Sequence, residues 1–403
     1  MWPSFAKINS LIITIIFYKL SAVSLNKSDF GELFYYLAIF SVISIFVKFG
    51  LTSLTQKIII DCKEKESEII NAIFTFKLIF LVFGLFSSLI LFNEQDNYVL
   101  VLMFILLASL SDFFIDYSFH KNTFIKFYKT QVIINSILII IYLIAIYIQD
   151  IIIIDTFMLA AIYVLPHIIL VTSQILLIKK NQIRFSFIEF YNNFQLIYKA
   201  AYPYLILGLL TVLIIRTDIF MLTYFLGYEV AGYYNAYAKI VELMYLIPAL
   251  LVSGIKSFTL KAKNEEYTMF YKKSLKYFFF GSILLVVIFQ LISPILISII
   301  FDRSFLLYQI ALNIIIFSFI PNALNFLISS WYMRNSLQHE LMAITLLIVI
   351  ANVILNLILI QSYGIYGASF ASVISFFAGI FIFPILFSRT REIPKFIFNS
   401  VTS

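Results

Sequence analysis

Long apolar runs separated by short polar breaks fill the chain from end to end. They cover residues 5–25, 32–56, 69–92, 98–119, 127–148, 153–178, 200–226, 231–255, 274–300, 305–332, 340–360 and 365–388. Each run is continuous rather than alternating. Hydrocarbon offers peptide groups no hydrogen-bond partner, so a spanning segment must be a helix or part of a closed barrel. A barrel strand needs only about ten residues and alternates apolar with polar, whereas a spanning helix needs about twenty. The pattern therefore predicts an all-α integral membrane fold of about twelve transmembrane helices.

Composition agrees. Of 403 residues, 62% are apolar and only 12% charged, with a mean hydropathy of +1.01. A soluble domain of this size could not cover so much apolar surface. Lys7 precedes an apolar run from Ile8 to about Leu25, as in a signal peptide. The stretch YKLSAVSLN lacks a small-x-small cleavage site, so an uncleaved first helix is the expectation. The single cysteine, Cys62, excludes a disulfide framework. His120, His167 and His339 are too scattered for a metal site. No cofactor is expected.

The formal net charge of +7 would suggest nucleic acid in a soluble protein. In a membrane chain, the distribution of lysine and arginine reads instead as orientation. Loops on the side of the termini, with the termini themselves, hold 21 of them, including Lys57, Lys126, Arg184, Lys272, Arg334 and Arg389. The opposite loops hold two, Lys27 and Arg303. Both termini are thus expected on the cytoplasmic side, and no nucleic-acid partner is expected.

The outer loops NEQDN, QDIIIID, LGYEVAG, FDRSF and QSYG are too short for an external catalytic domain. The longest polar connection, 179–199, is read as a cytoplasmic interfacial linker. It divides an N-terminal bundle (1–178) from a C-terminal bundle (200–403). DFGELFYYLAIF (29–40) and EVAGYYNAYAKI (229–240) are weakly alike, as in the internal repeats of transporters. Pro166, Pro203, Pro248, Pro294, Pro321 and Pro384 interrupt later helices, either as packing kinks or as hinges.

Three stretches carry a resemblance. RTDIFMLTYFLGYEVAGYYNAYAKIVELMYLIP (216–248), NVILNLILIQSYGIYGASFASVIS (352–375) and SDFGELFYYLAIFSVISIFVKFGL (28–51) resemble segments of bacterial polysaccharide flippases. These translocate O-antigen and capsular repeat units, and belong with the multidrug exporters of the MATE type and the peptidoglycan-precursor flippase in one superfamily. The patches span about 80 residues; elsewhere only spacing and helix count match.

The resemblance implies two six-helix bundles around a central cavity, in the bacterial inner membrane. It also implies a substrate: an undecaprenyl-diphosphate-linked oligosaccharide, carried from the cytoplasmic to the outer leaflet by ion-driven alternating access, with glycan polymerases as partners. One departure is that the end of helix four, SLSDFFIDYSFHKN (109–122), carries Asp112 and Asp116 where the family often has a basic residue. The Gly364, Gly367, Ala368 and Ser369 run reads first as close helix packing.

Charge inside the spans is the remaining puzzle. Such residues cost roughly 2.5–3.5 kcal/mol on insertion scales, so they pair or face a watery interior. Arg216 and Asp218 are two apart and point to opposite sides of a helix. Counted from the shared outer loop, Asp218 matches Lys239 in depth and Arg216 matches Glu242. Lys239 and Glu242, three apart, can also meet. Either these charges staple two helices, or Arg216 and Lys239 hold a substrate diphosphate. Lys19 and Lys48 are further diphosphate candidates in the first half. Asp218, Glu242, Asp112 and Asp116 are the candidates for ion coupling or charge pairing. Lys48 and Asp112 match in depth. Asp112, Asp116 and His120 recur every four residues, either as a relay or as a helix end entering the interface.

Two readings compete with a flippase. An integral-membrane glycosyltransferase or glycan polymerase lacks support from any DxD triplet or large loop, so the chain is read as a non-enzyme. A MATE-type cation exporter would favour an acid-rich cavity, whereas here the buried charges are mixed.

Overall fold

The computed structural model describes residues 2–51, 55, 58–59, 65–92, 97–120, 123–148, 154–178, 183–252 and 264–402. Among these the chain is almost wholly helical and contains no strand. It divides into two compact units, Met1–Val212 and Leu213–Ser403.

The first unit contains α1 (Trp2–Ser24), α2 (Lys27–Lys48), α3 (Glu66–Leu91), α4 (Asn97–Leu102), α5 (Ala108–His120), α6 (Phe124–Ile148) and α7 (Thr156–Leu177). A 3-10 segment, Met103–Leu107, joins α4 to α5 within one apolar run. Two helix starts carry side-chain caps. The Asn26 side chain accepts from the Asp29 N–H at the head of α2, and Asp155 does the same for Met158 at the head of α7. The run expected to continue to residue 56 stops earlier, because Phe49 turns left-handed (φ 49°) and caps α2. Buried rings of Phe49, Phe76 and Phe113 fill the core of this unit, with the partly buried Phe80, Phe190 and Phe194 packed against it. Asn9 and Asn135 tie α1 to α6 through Ser136 and Ser10.

The next helix, α8 (Phe187–Met244), begins in the first unit and runs into the second. Residues 187–199, expected within the linker, form its opening turns, with Ile188 and Tyr191 exposed and Ile197 buried. The second unit continues with α9 (Asn264–Ile300), α10 (Gln309–Ile315), α11 (Phe319–Arg334), α12 (Gln338–Phe381) and α13 (Ile393–Thr402).

Ten of the described helices are long and apolar enough to cross a membrane. Two of them bend back on themselves. In α8, Gly227 adopts φ 83°, ψ 175°; in α12, Gly364 adopts φ 57°, ψ −133°. Only glycine visits such angles without a Cβ clash. A straight helix would separate Arg216 from Glu242 by about 39 Å at 1.5 Å per residue, yet they are 3.1 Å apart. In α12 a Cβ on Gly367 would overlap the Leu359 carbonyl, and Ile360 N would lie 2.9 Å away. Each is therefore a helical hairpin. The expected runs 200–226, 231–255, 340–360 and 365–388 meet at these two glycines.

Large apolar side chains lie on the outer surface as well as in the core. Val82, Phe83, Phe86 and Ile90 on α3, Ile133 and Ile137 on α6, and Leu284 and Leu291 on α9 are all exposed. Hydrocarbon side chains on an outer surface at this density mark a surface solvated by lipid. The chain is a multi-pass membrane protein.

Candidate functional site

The hairpin of α8 places the charged residues of its two arms beside each other. Arg216 Nη1 reaches Glu242 Oε1 at 3.1 Å, and Lys239 Nζ reaches Glu242 Oε2 at 2.5 Å. The three side chains are about one-fifth exposed or less. Each oxygen of one carboxylate thus takes one cation. Glu242 matches Arg216 in depth as expected.

Asp218 does something different from the expected pairing with Lys239. It is buried, and its four hydrogen-bond donors are all neutral. The Tyr234 and Ser372 hydroxyls donate to Oδ2. The amides of Asn352 and Asn356 donate to Oδ1 at 3.1 and 2.6 Å. The physical reason is the hairpin of α12. Asn352 and Asn356 are four apart on one face of its first arm, and Ser372 faces them from the second. The sequence reading treated this region as close packing and missed these three residues and Tyr234. The signal was present as NVILN, two asparagines at helical spacing in an otherwise apolar run.

The Asn356 Oδ1 atom is buried and receives no hydrogen bond among the described residues. A cavity of about 30 Å³ touches Asp218, Tyr234, Ser372 and Glu242. That is roughly the volume of one water molecule. The Asp218 cluster and the Glu242 cluster therefore share a space fit for a small ion or a water.

In the first unit, Lys48 and Asp112 meet at 3.2 Å, joining α2 to α5 as their depths suggested. Asp116 is buried one turn further along. The His120 side chain, third member of the expected relay, lies outside the described residues, as do Cys62 and Lys57. Lys19 is half-buried in α1. A fully buried cation, Lys77 on α3, went unnoticed in the sequence; it donates to the Ser109 carbonyl at 3.2 Å. A cavity of about 240 Å³ lies in this unit, its mostly apolar walls interrupted by Thr14, Ser111, Asp112, Gln131, Asn135 and His167. Among the described residues, no cluster of His, Cys, Asp and Glu could hold a metal ion.

No protein-family model matches the sequence, and no curated protein does. Solved structures do match. A multidrug-resistance MATE-family transporter of the MOP superfamily, in an inward-facing conformation, aligns with TM-score 0.70 at 11% identity, covering 94% of this chain and 95% of its own. The lipid II flippase MurJ, inward closed, aligns with TM-score 0.70 at 16% identity over 100% of this chain and 90% of its own. A MOP-superfamily transporter from Pyrococcus furiosus aligns with TM-score 0.63 at 13% identity over 96% of this chain and 94% of its own. Aligned over nearly its whole length, the chain has the fold of these transporters.

Proposed function

We propose that the protein flips an undecaprenyl-diphosphate-linked oligosaccharide across the membrane by alternating access, coupled to an ion gradient. The observation that carries this reading is the Arg216–Glu242–Lys239 cluster. Two cations converge on one carboxylate inside membrane-spanning helices, which sets an arginine and a lysine side by side where an anionic diphosphate could be met. Arginine contributes a planar fork that can bond two phosphate oxygens, and exclusion of water strengthens each contact. In the first unit, Lys19 and Lys48 are separate candidates for the diphosphate, Lys48 being paired with Asp112.

Asp218 is the proposed coupling residue. Its carboxylate, the Asn352 and Asn356 side-chain oxygens and the Ser372 hydroxyl are hard oxygen donors within one buried cluster. Rotation of the amides would turn their oxygens toward a monovalent cation; protonation of Asp218 would serve a proton gradient equally. The small cavity shared with Glu242 supports communication between ion and substrate charge.

A cation exporter is the second reading, favoured by the same buried Asp218 carboxylate and by the MATE-like fold. Deletion in the native host separates the two. Loss of surface polysaccharide with repeat units accumulating on the cytoplasmic leaflet is the expected result, restored by the wild-type protein and not by Arg216→Ala. An unchanged glycan profile with heightened sensitivity to cationic drugs would favour the exporter.

A further inference from the structure

The end of the second unit that carries α13 holds a pocket of about 380 Å³. None of the residues considered for substrate or ion coupling lines it. Its walls are aromatic. Tyr267 and Tyr271 on α9 stack at 5.7 Å, and Tyr271 stacks on Phe396 of α13 at 6.0 Å. Trp331 adds a further ring from α11.

Two arginines from different elements complete the lining. Arg334 ends α11, and its guanidinium carbon sits 3.9 Å from the centre of the Tyr267 ring. Arg389 lies between the 3-10 turn Phe383–Leu386 and α13, and its Nη1 bonds Glu340 at 2.9 Å. That contact fixes one edge of the guanidinium and leaves its other N–H groups for further acceptors. Glu392 is the carboxylate in the lining, 3.7 Å from Arg391. Lys272 lies 5.7 Å from the Phe396 ring. The pocket and its ion pairs thus hold three cations, Arg334, Arg389 and Arg391, against two carboxylates, Glu340 and Glu392.

Position narrows the ligand. The apolar spans of this unit stop at Met269, Tyr332 and Gln338, so the pocket sits where hydrocarbon gives way to headgroups. Basic pockets between helix ends at this level bind anionic headgroups, and tyrosine and tryptophan are the residues that tolerate the boundary. The short α13 buries Ile393 and Ile397 against the unit and exposes Phe398, as a helix lying along an interface does.

We propose that this pocket binds the phosphodiester of an anionic phospholipid headgroup, with Arg334 and Arg389 as the phosphate ligands and the rings as walls for the glycerol. The site is independent of the transport reading. The purified full-length chain in neutral detergent, titrated with phosphatidylglycerol or phosphatidylcholine and followed by thermal unfolding, tests it. Phosphatidylglycerol is expected to raise the midpoint and phosphatidylcholine to leave it unchanged. At about 1 kcal/mol per basic residue, Arg334→Gln with Arg389→Gln should weaken apparent phosphatidylglycerol affinity roughly 30-fold. Arg389 is exposed, so Arg389→Gln alone should fold normally and weaken affinity about fivefold. Inorganic phosphate at millimolar concentration should not reproduce the shift; if it does, the ligand is a soluble phosphate and the lipid assignment fails. Equal response to both lipids by the wild-type protein, or an unaltered response by folded Arg389→Gln and the double variant, overturns the site.

Discussion

Replacing Asp218 by alanine removes the acceptor for four buried donors at once: the Tyr234 and Ser372 hydroxyls and the Asn352 and Asn356 amides. A buried donor left unsatisfied costs roughly 1–3 kcal/mol. Not all four would stay orphaned. Asn356 already donates to Asn352 Oδ1 at 3.1 Å, and the adjoining cavity of about 30 Å³ can admit a water. With two donors stranded, the loss is about 2–6 kcal/mol, since these bonds tie the two arms of α12 to the two arms of α8. Asp218→Asn keeps the volume and one acceptor, and should cost less than half as much. Denaturant unfolding in mixed micelles, with α-helical circular dichroism as readout, measures both. An ion bound at this cluster adds a second signature. At one hundred times its dissociation constant it should stabilise the wild-type protein by about 2.7 kcal/mol, and neither variant. If Asp218→Ala is as stable as wild type within about 0.5 kcal/mol, the cluster does not hold the hairpins together. If Asp218→Asn keeps the ion response, Asp218 is not the coupling residue.

Other expectations follow from the same structure. Glu242→Gln leaves Arg216 and Lys239 without their shared carboxylate and should cost about 3 kcal/mol, the scale of one charge at bilayer depth; unfolding measurements on Glu242→Gln and on Glu242→Gln with Lys239→Met should show the second partly restored. Gly367→Val drives a side chain into the backbone of the opposite arm of α12 and should lower stability by at least 1–3 kcal/mol, the overpacking scale, read as reduced yield of folded protein after heating in detergent. The Lys48–Asp112 pair, about one-third exposed, should give a coupling of roughly 1 kcal/mol in a double-mutant cycle; additive single effects would show the contact to be idle.

The architecture was legible because a bilayer imposes it. Continuous apolar runs of helical length have one solution in hydrocarbon, and glycine at 227 and 364 marks where two runs reverse. The salt bridge between Lys48 and Asp112 and that between Arg216 and Glu242 could be read by counting residues from the loops that end each span, because depth is the one coordinate a spanning helix reports. Azimuth is not reported. Asp218 and Lys239 match in depth, yet Asp218 turns toward α12, and nothing in its own segment says so. Lys77 was overlooked for the opposite reason: a lone lysine in an apolar helix looks like a snorkelling residue until its acceptor, a backbone carbonyl thirty-two positions away, is seen. The neutral partners Asn352, Asn356 and Ser372 are quiet in sequence because uncharged polar side chains are common in membrane helices.

Translocation itself is the most direct test. The purified protein would be reconstituted in proteoliposomes carrying a fluorescent undecaprenyl-diphosphate-linked oligosaccharide in one leaflet, with an imposed ion gradient. Arrival of the label in the other leaflet is followed by accessibility to an added glycosidase. Gradient-dependent transfer that disappears in Arg216→Ala and Asp218→Asn is the predicted result. Absence of transfer for this substrate, alongside gradient-driven uptake of a cationic drug by the same vesicles, would contradict the account.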